Sequence, residues 1–559
     1  MSRFNLIDKP WISVVLDEKG QTELVSLNLL FENAHIYKGI AGDTKTQDFA
    51  VFRVILAVLH TVFSRFDAQG KPYIFFDLDE RYKPTSLIED EDDLEDYSEA
   101  LYQTWEDLWQ TGIFPEIVNE YLEKWYDRFY LLDNEFPFFQ VTQTEVAPDN
   151  ISKNSPSAIS GKNINRLVSE SGNKTALFSP KTMSDKAILS EAECARWLLA
   201  FQGYTGLADK VIFGKEKYKA SKGWLFDIGG LVVEGRNLFE TLMLNLVLIH
   251  SESEYQGIEQ KPCWEFTASE MIEYYFSGLN YDNLAALYTN WSRAIYIEPS
   301  INFEKSFECH IVKLPEIKHN DNFLEPMTIW QMNRSGPNKD TFTPKKHQVN
   351  QSIWRSFGLL SLPNAYAENQ WQPGIIDWIN RISEFIGDYD LTLRAVSMKD
   401  DGNATSWVPV DEATDKLRIN DLILSDVKEK GWVPRISDTV EETKKVVEDT
   451  FKRLLLGIKE IRNIESYSFV NEEVEKLYFQ INQPFYKWLS ELRSDDNKDE
   501  RIFEWRKMLK TIVLRQVEQL MNNAGPRDYM GIIDKKNNVI NIATVYNSFI
   551  YFLNQQLRV

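Results

Sequence analysis

Cys309, His310 and His319 are the nearest approach to a metal site in this chain. Zinc needs four converging ligands, and adjacent positions rarely coordinate one ion together, so no metal is expected. The cysteines number three, Cys194, Cys263 and Cys309. An odd count with no CxxC pair fits a reducing compartment, not a disulfide framework or a zinc knuckle. "GIAGDTKT" (39–46) places its Lys and Thr wrongly for a G-x-x-x-x-G-K-[ST] phosphate cradle. H-E-x-x-H and G-x-S-x-G are absent, and the six histidines belong to no nucleophile motif. The chain is expected to be no enzyme and to hold no cofactor.

What remains is recognition. "ESGNKTALFSPKTM" (170–183) is polar, rich in turn formers and basic, with Phe178 between small residues and a proline. Backbone amides and lysines hold phosphates, and a turn with an apolar tip can enter a groove. Gly172 allows close approach, Lys174 supplies a charge for phosphate, and Phe178 offers a wedge. A loop that contacts a partner protein, or a buried Phe178, accounts for the same residues.

Charge sharpens the question. The net charge of −22 over 559 residues opposes indiscriminate binding to nucleic acid, whose affinity rests on phosphate attraction. Residues 77–99 hold eleven acids against Arg81 and Lys83. Three loop-like stretches run the other way: 151–186 has six bases against two acids, 207–222 five against two, and 334–346 four against one. Each island can be a solvated loop; three of them in an acidic chain point to a shared polyanionic target.

These loops need a scaffold. The composition, 43% hydrophobic with 13% aromatic residues, can bury a large core and argues against extensive disorder. "WISVVLDEKGQTELVSL" (11–27) alternates around an Asp-Glu-Lys-Gly turn and predicts a hairpin. "TQDFAVFRVILAVLHTVFSRF" (46–66) has a helical period, with His60 a packed or surface residue. This helix and "LFETLMLNLVLI" (238–249) are read as buried helices of a cytosolic protein, because charged or polar residues interrupt both before a membrane-spanning length. The N-terminus lacks the long apolar run of a secretory signal. The acidic stretch 77–96 precedes a helix around 101–109, the pattern dissolves over 142–186, and helical spacing returns at 191–204. "DLTLRAVSMKDDGNATSWVPVDE" (390–412) predicts a hairpin whose Asp-Gly-Asn tip needs positive φ.

From about 437 the chain turns helical. Segments 437–461, 471–492, 499–523 and 543–557 are amphipathic and joined by short linkers, the pattern of a four-helix bundle. Pro484 is expected to kink or split the second. The expected fold is α+β: a mixed N-terminal domain with long recognition loops (1–390), a β-hairpin and linker (391–432), and a C-terminal four-helix bundle (433–559).

Four segments in order resemble the large subunit (CasA-type) of the type I-E CRISPR Cascade complex. They are "FNLIDKPWISV" (4–14), "RVILAVLHTVF" (53–63), "RFYLLDNEFPFFQV" (128–141) and "GRNLFETLMLNLV" (235–247). The resemblance covers nearly the whole chain. It implies a non-catalytic subunit that recognises the protospacer-adjacent motif on double-stranded DNA from the minor groove, promotes strand separation, and recruits the helicase-nuclease. Its partners would be the other Cascade subunits, the CRISPR RNA, double-stranded target DNA and the helicase-nuclease, with no membrane. Sequence identity beyond the motif is left to base pairing with the guide.

Carried over by position, the motif-reading loop falls on Phe178, Ser179 and Pro180, preceded by Gly172, Asn173 and Lys174. The glycine-rich loop falls on Thr205 to Asp209, "TGLAD". It keeps Gly206, has Ala208 and the acidic Asp209, and leaves Lys210 to compensate. The strand-separating hairpin falls on Lys399 to Asn403, including Asp401 and Gly402, with Asn403 in place of the glutamine wedge of some relatives. A minor-groove lysine falls on Lys313 or Lys318. The paired CxxC motifs of some members are missing here, which again implies no metal. Two rivals stay open: a purely structural scaffold that binds only protein, and a nucleic-acid-processing enzyme with unusual ligands.

Overall fold

The computed structural model describes all residues except 1–3, 89, 169, 171–178, 183, 206–209, 220, 367, 403–408 and 534–536. The chain divides into two compact units, one of Met1–Asn350, Glu368–Ile386 and Leu393–Lys416, the other of Gln351–Ala367, Gly387–Thr392 and Leu417–Val559. Helices and sheets are mixed in the first, and the second is mainly helical, so the fold is α+β.

In the first unit, β1 (Ile12–Val15) and β2 (Thr22–Val25) form the expected antiparallel hairpin. Gly20 takes φ +78° in its turn, a conformation open to glycine because it lacks Cβ. β3 (Gly39–Ile40) pairs with the other edge of β1. α1 (Lys45–Phe63) follows, capped by the Thr44 side chain. It is long and apolar enough to cross a membrane but is wholly buried inside the unit. Its buried guanidinium, Arg53, makes a two-pronged contact with Glu325 at 2.8 and 2.7 Å. Trp224 Nε1 donates to the same carboxylate at 2.6 Å, and Arg53 lies 4.1 Å above the Tyr288 ring.

α2 (Glu91–Thr111) begins well before the expected 101. Asp90 caps it by accepting from the Asp92 amide, and Glu91, Asp92 and Asp93 fill its first turn, where the helix dipole favours negative charge. Half of the acidic run is thus helical. β4 (Ser157–Ser160) interrupts the stretch read as patternless. α3 (Glu191–Tyr204) matches its expected span and opens with a Ser190–Glu193 capping box. After β5 (Gly230–Glu234), α4 (Leu238–Leu244) stops short of the apolar run's end at 249. Asn245 ends it by turning its side chain to both the N–H and the C=O of Val233.

The remaining strands of this unit are β6 (Arg293–Tyr296), β7 (Glu308–Lys313), β8 (Ile329–Met332), β9 (Phe342–Lys345) and β10 (Gln370–Trp371). β11 (Asp390–Asp400) and β12 (Pro409–Asn420) make the hairpin read from 390–412, longer than expected. Three sheets result, ordered β4-β7-β6, β10-β8-β9 and β12-β11-β5.

In the second unit, α5 (Trp432–Lys445) starts ahead of the expected 437. Pro434 falls in its first turn, where no amide hydrogen is needed. A π-helical segment, Val446–Phe451, joins it to α6 (Lys452–Ile461). α7 (Ser468–Ser490) runs through Pro484 as one helix, so the proline does not split it. Phe485 stacks on Trp354 at 4.4 Å and meets Trp505 edge-on at 4.9 Å, and this buried packing offsets the lost backbone bond. α8 (Lys498–Asn522) packs on α7, and α9 (Ile542–Leu557) packs on α6 and α8.

Candidate nucleic-acid interface

A cavity of about 70 Å³ in the first unit collects the roots of all three loops singled out from sequence. Arg166 and Val168 line it just before residues 171–178. Tyr204 and Thr205 line it just before 206–209. Met398 and Pro409 line it on either side of the β11–β12 tip. Segments separated by more than two hundred residues of chain therefore depart from one place.

The members of these loops divide as follows. Gly172, Asn173, Lys174, Phe178, Gly206, Ala208, Asp209 and Asn403 lie outside the described residues. Pro180 is exposed and Ser179 half-buried, with Ser179 Oγ accepting from the Lys181 amide at 3.4 Å. Lys210, Lys399, Asp401 and Gly402 are exposed. Gly402 has φ +69°, as the Asp-Gly-Asn turn requires, and its amide donates to Asp400 at 2.8 Å.

Lys313 is half-buried at the end of β7. Its amide donates to Val211 O at 3.1 Å and its carbonyl accepts from the Tyr218 hydroxyl at 2.6 Å. This brings Lys313 beside the segment that starts at Lys210. Lys318 is exposed.

The basic islands are less free than their charge count implies. Lys186 is buried in an ion pair with Glu170 at 2.8 Å. Lys181 pairs with Glu193 at 2.7 Å and donates to Ile188 O at 2.6 Å. Lys222 and Lys346, from different islands, both approach Asp227, at 2.8 and 3.7 Å, and both lie over the Phe226 ring. Burial pushes the Asp227 carboxyl up, but the Lys222 hydrogen bond and the two positive charges outweigh it and hold the group below the usual carboxylate range. Lys346 also reaches Asp400 at 3.6 Å. These lysines brace the loops, which corrects the view of each island as available positive charge.

The segment 39–46 is a strand, loop and helix start, the topology of a phosphate cradle, yet carboxylates already occupy its amides. Gly42 N–H donates to Asp48 at 2.5 Å. Thr46 N–H donates to Glu412 Oε1 at 2.9 Å and Lys45 N–H to Oε2 at 3.3 Å. The Thr46 hydroxyl also donates to Glu412. Glu412 lies on β12, so it ties the hairpin to the start of α1. Cys309, His310 and His319 do not converge. Buried Cys309 and half-exposed His310 alternate on β7 and so face opposite sides, while His319 stacks on Trp224 at 4.1 Å. Among the described residues no three potential ligands gather around a metal position.

Arg166 and Glu412 were not singled out by sequence. Arg166 was one base among six, and Glu412 one acid among 84; only tertiary placement distinguishes them.

The profile of the family described as CRISPR-associated protein Cse1 matches residues 5–516. A Thermus thermophilus protein, CRISPR-associated protein CasA/Cse1, is 28% identical over 270 residues, 47% of this chain and 42% of that protein. The match thus spans less than half of the curated relative's length. Thermobifida fusca Cse1 has a similar structure, with a TM-score of 0.76 and 23% identity over 99% of this chain and 98% of that one. A chain of a CRISPR RNA-guided surveillance complex gives a TM-score of 0.66 at 15% identity over 99% of both chains. Similarity at these identities speaks for the fold, and the profile speaks for descent: the chain belongs to the CRISPR-associated Cse1 family, the type I-E large-subunit family that its motifs resemble.

Proposed function

We propose that this chain is the large subunit of an RNA-guided surveillance complex in the cytoplasm. It recognises the protospacer-adjacent motif on double-stranded DNA, promotes strand separation and R-loop formation, and recruits the helicase-nuclease, breaking no bond itself. The other Cascade subunits and the CRISPR RNA are its standing partners. Family membership supports this reading, as does the likeness in fold to a chain of a CRISPR RNA-guided surveillance complex. The observation that carries it is the shared origin of the three loop segments around one cavity. A reader of duplex DNA that also starts its opening must bring motif-contacting and strand-parting elements to the same few base pairs. Scattered loops would not do so.

The acidic body fits the same role. A net charge of −22 suppresses attachment to DNA at large, leaving recognition to the assembled particle. The test is a gel-shift comparison over a library of motifs, using RNA-loaded complex with and without this chain. Motif-dependent retention should require the chain. Phe178→Ala should change the order of preferred motifs, and Lys174→Ala should weaken all of them alike. An unchanged motif profile for both variants would favour a scaffold that binds only protein.

A further inference from the structure

We propose that Lys346 is a positioning residue for strand separation, setting the β11–β12 turn through Asp400 without touching DNA. The proposal rests on the DNA-recognition reading above. It gives the basic stretch 334–346, which that reading leaves unused, a task behind the parting hairpin.

Lys346 has a fixed base. It directly follows β9, and the backbone on either side of it lies against Gly229. A Cβ at Gly229 would stand 2.9 Å from His347 N and closer still to Lys345 O, an approach that only glycine permits. His347 Nε2 lies 3.0 Å from Gly230 O, which pins the next residue to the start of β5. The Lys346 ammonium lies 4.3 Å from the centroid of the Phe226 ring, and that ring is buried. A lysine pinned at its backbone and seated on a buried ring has already lost much of its rotamer freedom. Ordering entropy, which cancels many lysine ion pairs, weighs less against this one.

The ammonium faces two carboxylates on unequal terms. Asp227 is already served by Lys222, which lies 3.1 Å from Oδ1 and 2.8 Å from Oδ2, against 3.7 Å for Lys346. Among the described residues, Lys346 is the cation paired with Asp400. It stands 3.6 Å from Asp400 Oδ2, while Oδ1 accepts from the Gly402 amide at 2.8 Å. One oxygen is thus committed to the lysine and the other to the turn, so Asp400 passes the lysine's position to Gly402. The Asp400 side chain is 15% exposed and that of Lys346 29%, so water screens their attraction only in part.

The same arrangement disfavours a direct DNA contact. A phosphate brought to this ammonium would meet the negative charges of Asp227 and Asp400. A tether, in contrast, serves the hairpin where it acts. A turn that swivels spends only part of its time in the working pose, and the rate of opening falls with that fraction.

The experiment uses RNA-loaded complex containing this chain and a target duplex with 2-aminopurine beside the motif, whose fluorescence rises on unstacking. Lys346→Met removes the charge and keeps an unbranched stem that packs on the Phe226 ring. It should slow the rise by about five-fold, the effect of losing a partly screened ion pair, and leave motif-dependent affinity and its salt slope unchanged. Lys346→Arg should restore the rate. Asp400→Asn, which keeps an acceptor for the Gly402 amide, should slow opening to the same degree, and the double variant should be no slower than either alone. An unaltered opening rate in Lys346→Met would overturn the proposal, whatever happens to the melting temperature of the free chain. A salt slope flattened by about one unit in Lys346→Met, the mark of a phosphate contact, would overturn it too, as would faster opening in Asp400→Asn. Absence of motif-dependent binding by the unaltered complex would instead overturn the function on which the tether rests.

Discussion

Replacing Glu412 tests how the hairpin is held. Its carboxylate accepts from the Thr46 amide at 2.9 Å and the Lys45 amide at 3.3 Å, and from the Thr46 hydroxyl. Hydrogen bonds to a charged group contribute about 1.5–3 kcal/mol each, and an anion at a helix N-terminus adds about 0.3–1 kcal/mol. The Lys45 contact is long and is worth the least. Water reaches the half-buried carboxylate and can replace part of what is lost. Glu412→Ala should therefore destabilise the chain by about 3 kcal/mol, and Glu412→Gln, which keeps one acceptor, by about 1–2 kcal/mol. Urea unfolding of both variants and of Thr46→Val measures this. The double variant should fall short of additivity by about 1 kcal/mol or more, as for residues in one network. In the proposed complex, Glu412→Ala should also slow strand separation while leaving motif preference intact. A stability change below about 0.5 kcal/mol, typical of an ordinary surface site, or strict additivity with Thr46→Val, would refute the anchoring argument.

Burial holds His60 neutral and lowers its pKa to about 3, with His250 and Arg53 adding to the effect. The unfolded chain takes up the proton near 6.5, so this stability is complete above that pH and is lost as pH falls from 6.5 toward 3. The loss runs at about 1.4 kcal/mol per pH unit, and His250 and His347, both lowered to about 4, act in the same direction. Urea midpoints at pH 7 and pH 5 should differ less in His60→Leu than in the parent, and equal differences would count against the argument. On α6, a Cβ at Gly457 would stand 2.8 Å from both methyls of Val545 on α9. Gly457→Ala should thus cost about 1–2 kcal/mol by overpacking despite better helix propensity, with recovery in the Gly457→Ala, Val545→Ala pair by thermal melting. Exposed Lys318, rather than half-buried Lys313, is expected to face phosphate. Lys318→Ala should flatten the salt dependence of DNA binding by about one unit, with a smaller effect at Lys313, in titrations of the assembled complex.

Elements whose shape is set locally were legible in the sequence. The first hairpin announces itself through Asp-Glu-Lys-Gly, α3 through its helical spacing over 191–204, and the β11–β12 turn through Asp-Gly-Asn. What depends on distant partners was not. β4 reads as polar loop because "SAIS" is held by pairing with β7, some 150 residues onward in sequence. The early end of α4 hangs on one Asn245 side chain reaching back to β5. Pro484 is tolerated because tryptophans from other segments pack against Phe485. For the candidate interface, sequence named the three loops separately; that their roots share one cavity follows only from the fold. The same holds for the lysines of the basic islands, whose partners Glu170, Glu193 and Asp227 lie outside any motif.

The ion pair Glu170–Lys186 joins the two sides of residues 171–178, and Lys181–Glu193 ties the C-terminal side to α3. Clamping the two ends separates the identity of the intervening residues from the stability of the unit beneath them. If the intervening residues read the target motif as proposed, a lineage facing invaders with altered motifs can revise them while both clamps stay in place.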